Sequence, residues 1–237
     1  MSSIEINGGN VEYEVLGPHN STAASDELIV LTPGGRFSKD IPGLRPLAEA
    51  LVEGGKRVLL WDRPNTGVAD VQFYGKSESH MRAETLKILL TELGEGPCVL
   101  AGGSGGARDS IVTTMLYPEL TTKLVVWNIV GGVFGSFSLG SYYAIPSIQV
   151  VQAKGIDGLF DLPEWQERIA LNPANADRLR ALDRAEFLQL ILIEVGIGVI
   201  GVPRPNESIE EECLRKRSHL FRSSIRAEPQ QMDLNAS

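Results

Sequence analysis

One serine in the chain has neighbours that make its hydroxyl a candidate nucleophile. Ser104 stands in the run Gly102-Gly103-Ser104-Gly105-Gly106, directly after the apolar stretch 98–101 and directly before a helical pattern carrying Ile111, Val112, Met115 and Leu116. A G-x-S-x-G turn between strand and helix holds its serine in a tight bend. Only small residues fit beside it, and the hydroxyl is lifted to a helix N-terminus, where developing negative charge is favoured. The chemistry this permits is acyl transfer: the hydroxyl attacks a carbonyl carbon, and the new oxyanion needs two N–H donors. Gly105, the residue after the serine, is expected to supply one. The run Thr32-Pro33-Gly34-Gly35-Arg36 follows the apolar stretch 28–31, and Gly35 is expected to supply the other. The same glycines also admit a plain strand-to-helix turn or a phosphate cradle. The lysine of a P-loop is missing from the run, and serine at 104 excludes an aspartate nucleophile there.

Positioning such residues requires a particular order of elements. Ile4 and Ile6, then Val11, Tyr13 and Val15, alternate with polar residues around Asn7-Gly8-Gly9-Asn10, which predicts a hairpin. The stretches 28–31, 58–61 and 98–101 are short continuous apolar runs, the pattern of strands buried on both faces, and 124–127 opens a fourth strand. Helical patterns separate them over 44–52 and 79–93 and around Ile111, Val112, Met115 and Leu116, the last ending before Pro118. This alternation predicts an α/β architecture, a mostly parallel sheet with helices on both faces. The glycine-rich turns all fall at the carboxyl ends of the strands, where such sheets bind ligands. Beyond Gly132 the alternation stops. Helices are expected over 142–154, 162–171 and 175–200, and a short strand over 218–225.

Composition narrows the function. With 237 residues, 43% hydrophobic and 22% charged, the chain is expected to fold around a large core. A formal charge of −8 without a dominant basic run argues against nucleic acid as partner. Cys98 and Cys213 make no disulfide framework, and Cys98 reads as a small core residue. The apolar stretch 187–202 contains Glu194 and three glycines, so it reads as a buried helix leading into a turn and not as a membrane span. No secretory pattern opens the sequence, and the expected location is cytoplasmic.

Four features in order carry a resemblance: Pro33-Gly34-Gly35; Asp62-Arg63-Pro64-Asn65-Thr66-Gly67; Gly102-Gly103-Ser104-Gly105-Gly106; and Tyr117-Pro118-Glu119 before the next strand. Over residues 4–203 the chain resembles the α/β-hydrolase superfamily, in particular capped members such as carbon–carbon bond hydrolases, esterases and proline iminopeptidases. The resemblance implies an α/β-hydrolase core over 1–132, a helical cap over 133–203 and a polar tail over 204–237. It implies a small-molecule substrate with an ester or carbon–carbon bond, cleaved by Ser104 through an acyl-enzyme, with Gly35 and Gly105 as the oxyanion hole and with no cofactor or metal. Phe134, Phe137, Tyr142, Tyr143 and Trp165 would line its pocket. Pro33 stands where a histidine often does, and Asn65 and Asp70 where small residues are common. Asp62 and Arg63 read as loop braces.

The superfamily's chain order is serine, acid, histidine. Of the three histidines, His19 lies in the N-terminal loop, His80 near a helix start facing water, and only His219 follows Ser104, with no strand end before it. No acid or base is assigned. Strands expected after the cap are not apparent, which predicts an exposed sheet edge and association into a homo-oligomer. The alternative to an active hydrolase is an impaired homologue that binds without turnover.

Overall fold

The computed structural model describes residues 2–18, 27–129 and 132–194, with the backbone alone at 132–137 and 193–194. Strands β1 (Ser2–Ile6) and β2 (Gly9–Leu16) form the expected hairpin. Its turn is shorter than the four residues expected, because Gly9 and Asn10 already pair with Ile6 and Glu5. Asn7 (φ 50°) and Gly8 (φ 79°) make the turn, both left-handed as a two-residue hairpin connection requires.

Strand and helix then alternate: β3 (Leu28–Thr32), α1 (Leu44–Glu53), β4 (Arg57–Trp61), α2 (Glu78–Glu92), β5 (Cys98–Gly103), α3 (Gly105–Leu116) and β6 (Thr121–Trp127). They build one mixed sheet in the order β1-β2-β4-β3-β5-β6. The β2–β4 pair is antiparallel, whereas β4, β3, β5 and β6 run parallel. Successive side chains of a strand leave on opposite faces. Accordingly Val30, Leu59 and Leu100 pack with Leu86, Leu89 and Leu90 of α2, while Leu31, Leu60 and Ala101 pack with Leu44 and Ala48 of α1. Both faces are covered, so the strands carry no polar alternation. Each fully buried leucine contributes about 1.5–3 kcal/mol.

Strand β6 differs. Its ladder with β5 begins at Thr121, three residues before its apolar run. It stands at the edge of the described sheet, with Val125 50% and Trp127 37% exposed.

Five helices follow: α4 (Gly132–Tyr143), α5 (Ile145–Lys154), α6 (Pro163–Leu171), α7 (Asn175–Arg180) and α8 (Arg184–Glu194). They share a separate core around Ile148, Val151, Trp165, Leu179, Phe187 and Ile191. Two expected helices are each divided. The helix expected over 142–154 breaks at Ala144, because Pro146 in the first turn of α5 lacks the N–H a continuous helix needs. The helix expected over 175–200 breaks at residues 181–183, where the Asp183 carboxylate accepts from the Ala185 and Glu186 N–H groups, both at 2.9 Å, and so starts α8. The remainder of that helix and the strand expected over 218–225 lie outside the described residues. Among the described residues, no helix is long and apolar enough to cross a membrane.

Candidate active site

Ser104 sits between β5 and α3 with φ 53° and ψ −118°. For a residue with a side chain this backbone is strained by about 1–3 kcal/mol. The strain is over-determined by its surroundings. The Ser104 N–H donates to the Trp127 carbonyl at 3.1 Å, and the Ser104 carbonyl accepts from the Arg108 N–H at 3.2 Å. The flanking glycines have no room for side chains: a methyl at Gly102 would run into the Gly106 backbone, one at Gly103 into the Trp127 indole, and one at Gly106 into the carbonyls of Thr32 and Pro33. A methyl at Gly105 would stand 2.9 Å from the Gly35 nitrogen. The turn and the 33–36 loop are therefore in direct backbone contact.

That loop is held from below by the dipeptide Asp62-Arg63. The Asp62 carboxylate accepts from the Lys39 N–H at 2.6 Å and the Val68 N–H at 3.1 Å. Arg63 is fully buried, and its guanidinium donates to the carbonyls of Gly34 (3.2 Å) and Gly35 (2.9 Å). Carbonyl and N–H oppose each other across a trans peptide, and no peptide here is cis. With the Gly34 carbonyl turned to Arg63, the Gly35 N–H points away from it. Asp62 and Arg63 thus brace the loop, as expected. Asn65 adopts φ 67°, which asparagine tolerates, and its side chain bonds Gln72 and Glu78.

Ser104, Gly35 and Gly105 open onto one cavity of about 360 Å³. Ile111, Val112, Leu139 and Ile191 make part of its wall apolar, and Tyr143 of α4 lies across it. The remaining wall is charged. The Glu78 carboxylate accepts from Arg36 and Arg82, each at 3.1 Å, and from Asn65 at 3.0 Å. Asp109 accepts from Arg63 at 2.7 Å and from the Ser79 hydroxyl at 3.2 Å. Burial pushes the Glu78 carboxyl up, but Arg36, Arg82, Asn65 and Arg63 outweigh it and hold it at about 2. Burial also pushes the Arg63 guanidinium down, against the pull of Asp109. A second cavity of about 700 Å³ lies beneath α5 and α6 and shares Arg36 and Tyr143 with the first.

Comparison with known proteins follows this geometry. No family model matches the chain. Over 128 residues, half of the chain, it is 33% identical to a 2-hydroxy-6-oxononadienedioate/2-hydroxy-6-oxononatrienedioate hydrolase of Escherichia coli (strain K12 / DH10B). The chain spans about two fifths of the length of the curated relatives it matches. Among solved structures, Cfl2 from Burkholderia cenocepacia aligns with 91% of this chain and 73% of its own, at TM-score 0.51 and 18% identity. A mutant of a proposed epoxide hydrolase from Pseudomonas aeruginosa aligns with 93% and 74%, at TM-score 0.52 and 15% identity. The chain has the fold of the α/β-hydrolases.

Other expected positions fall out differently. His80 does not simply face water: half-buried, it sits within 2.9 Å of the Ser77 hydroxyl, which caps α2 by accepting the His80 N–H. Among the described residues no histidine lines the cavity, and His19 and His219 lie outside them. Tyr143 borders both cavities, Tyr142 and Trp165 only the second. The side chains of Phe134 and Phe137 lie outside the described residues. Cys98 is buried and its thiol is pushed up to about 12, chiefly by burial, as suits a core residue. Among the described residues no cluster could hold a metal ion. Sequence reasoning missed the buried network of Arg36, Glu78, Arg82 and Asp109. Its one local signal was the Glu78–Arg82 spacing of four, which places both on one face of α2.

Proposed function

We propose that the chain carries the nucleophile and oxyanion hole of a serine hydrolase acting on an ester or carbon–carbon bond of a small molecule, with residues 1–132 as core and 133–203 as cap. The Ser104 Oγ attacks the carbonyl carbon, and the carbonyl oxygen gathers charge between the N–H groups of Gly35 and Gly105. The Oγ–C bond forms, the bond to the leaving group breaks, and the serine proton departs with that group. Water then cleaves the acyl-enzyme and restores the hydroxyl. The observation that carries this reading is the strained Ser104 backbone, packed against Gly35 at the mouth of a cavity. Strain of this kind persists where it serves a site. The relatives' carbon–carbon hydrolase activity supports the bond class.

A fluorophosphonate probe tests the reading. The native protein is expected to be labelled and Ser104→Ala not. Labelling that survives in Ser104→Ala, or no labelling of folded native protein, overturns it.

A second reading has its own observation. Glu78 and Asp109 are both committed to arginines, and a serine without a base is a weak nucleophile. The chain is then a scaffold that binds without turnover. Steady release of p-nitrophenol from a p-nitrophenyl ester, lost in Ser104→Ala, decides for the enzyme.

A further inference from the structure

Helices α6 and α7 meet at a corner that is keyed into the sheet domain by groups far apart in sequence. The buried Asp70 carboxylate accepts from the Asn10 N–H at 2.9 Å and from the Asn10 side-chain amide at 3.2 Å. It also accepts from the side-chain amide of Asn172, at the end of α6, and from Arg178 of α7 at 3.0 Å. One position further on, the Val71 N–H donates to the Asn175 side chain at 2.9 Å, and that side chain donates to the Arg168 carbonyl at 3.0 Å. Strand β2, the segment 70–71 and two helices are thus tied at one point. A satisfied buried polar network rigidifies what it joins.

The Arg168 side chain carries that tie on to the loop beside Ser104. It is buried, and it donates to the carbonyls of Gly67 and Arg36, the latter at 3.5 Å and 132 positions away. The 34–37 loop therefore has two guanidiniums on its carbonyls. Arg63 holds those of Gly34, Gly35 and Phe37, the last at 3.4 Å, and all three bonds are made within the sheet domain. Arg168 holds that of Arg36, and this bond exists only while α6 is seated. It falls on the residue after Gly35, the glycine packed against the serine turn.

We propose that Arg168 is a positioning residue for Ser104, which makes the alignment of the 34–37 loop depend on the seating of α6, with Asp70 as the anchor of that seat. The proposal rests on the serine reading above. Arg168 lines the second cavity and not the one that holds Ser104, so it acts through the loop and not on reacting atoms. Asp70 lines neither cavity, and its carboxylate bonds neither Arg168 nor the loop. Its influence on Ser104 passes through the corner and Arg168.

The test is a double-mutant cycle on the full chain, read as the rate of fluorophosphonate labelling. Arg168→Gln is expected to slow labelling about tenfold, since small misplacements far from the chemistry are costly. Asp70→Asn should slow it by about threefold, the scale of one weakened hydrogen bond. The double variant should label at the rate of Arg168→Gln alone, because Asp70 has no other route to the serine. Arg168→Lys keeps the charge and a donor and should recover part of the rate. It also runs the same cycle with a milder first step. Factors that multiply in the double variant, or an unchanged rate in Arg168→Gln, overturn the proposal. Hydrogen exchange of the 34–37 amides supplies a readout that needs no labelling. Both single variants should speed it, and the double variant no more than Arg168→Gln, while the amides of β5 stay protected. Exchange coupled in this way without labelling of the native protein sinks the serine reading alone. Labelling of the native protein with multiplying or absent effects sinks this inference alone.

Discussion

The adjacent residues Asp62 and Arg63 send their side chains into two networks that share the 34–39 loop and differ in almost everything else. Arg63 enters the arginine-rich network with Arg36, Arg82, Glu78 and Asp109, where no side chain is more than 15% exposed. Asp62 enters the acidic one with Lys39, Asp40, Glu12, Glu14 and Arg45, where exposure reaches 44% at Asp40. Water explains the difference in what each can do. In the dry network every charge depends on its partner, because solvent cannot replace a lost one. In the wet network solvent screens most pairs, and their worth is small. The first can therefore set the shape and potential of the Ser104 cavity. The second mainly fastens the loop to β2 and α1.

The sharpest way to break this contrast is Asp109→Ala. It leaves Arg63, which has no exposure of its own, facing Gly34 and Gly35 without the carboxylate it bonds, with Glu78 as a more distant counter-charge. The expected loss is about 3–5 kcal/mol in denaturant unfolding. Replacing Asp109 and Arg63 together with apolar residues should restore much of that stability. It should not restore labelling of Ser104, since the carbonyls of Gly34 and Gly35 lose their brace. Unchanged stability in the single variant would show that the network is wetter than its geometry implies.

Glu78 sharpens the comparison through pH. Its carboxyl is held at about 2 in the folded chain against an ordinary 4.5. A depressed carboxyl contributes stability that is complete above the unfolded value and fades as pH falls through the folded one. Native protein should thus lose stability between pH 4.5 and about 2, and Glu78→Gln, already weaker at neutral pH, should show a flatter profile there. Equal slopes for both proteins would remove Glu78 from the account.

Legibility in the sequence followed the range of the interactions. Strands β3, β4 and β5 were readable because packing on both faces leaves an uninterrupted apolar run, and α1 because its apolar spacing is helical. The turn around Ser104 was readable because steric exclusion by Gly106, Trp127 and Thr32 allows only glycine beside it. Strand β6 was readable only in part, since its apolar run over 124–127 has the character of 98–101 while its first residues, Thr121 to Lys123, are not apolar. The breaks at Ala144 and Asp183 depend on single local bonds or missing N–H groups inside otherwise continuous helical patterns. The arginine network was not readable at all. Its members come from positions 36, 63, 78, 82 and 109, and only Glu78 and Arg82 share an element.

The wet network offers the smallest effect and the cleanest control. Asp40 bonds Lys39 at 3.1 Å and Arg45 at 2.8 Å, so a reading by distance alone would rank it with Asp109. Its partners, however, keep other carboxylates: Lys39 retains Glu12 at 2.7 Å, and Arg45 retains Glu14 at 2.8 Å. Asp40→Asn also keeps the side chain's shape and its carbonyl acceptor. The expected loss is at most about 1 kcal/mol, and it should shrink further as salt is raised. Labelling of Ser104 should not change, because no bond of Asp40 reaches Gly34 or Gly35. A loss as large as that of Asp109→Ala would mean that the loop is held as firmly from the wet side as from the dry one. Burial would then no longer be what separates the two networks.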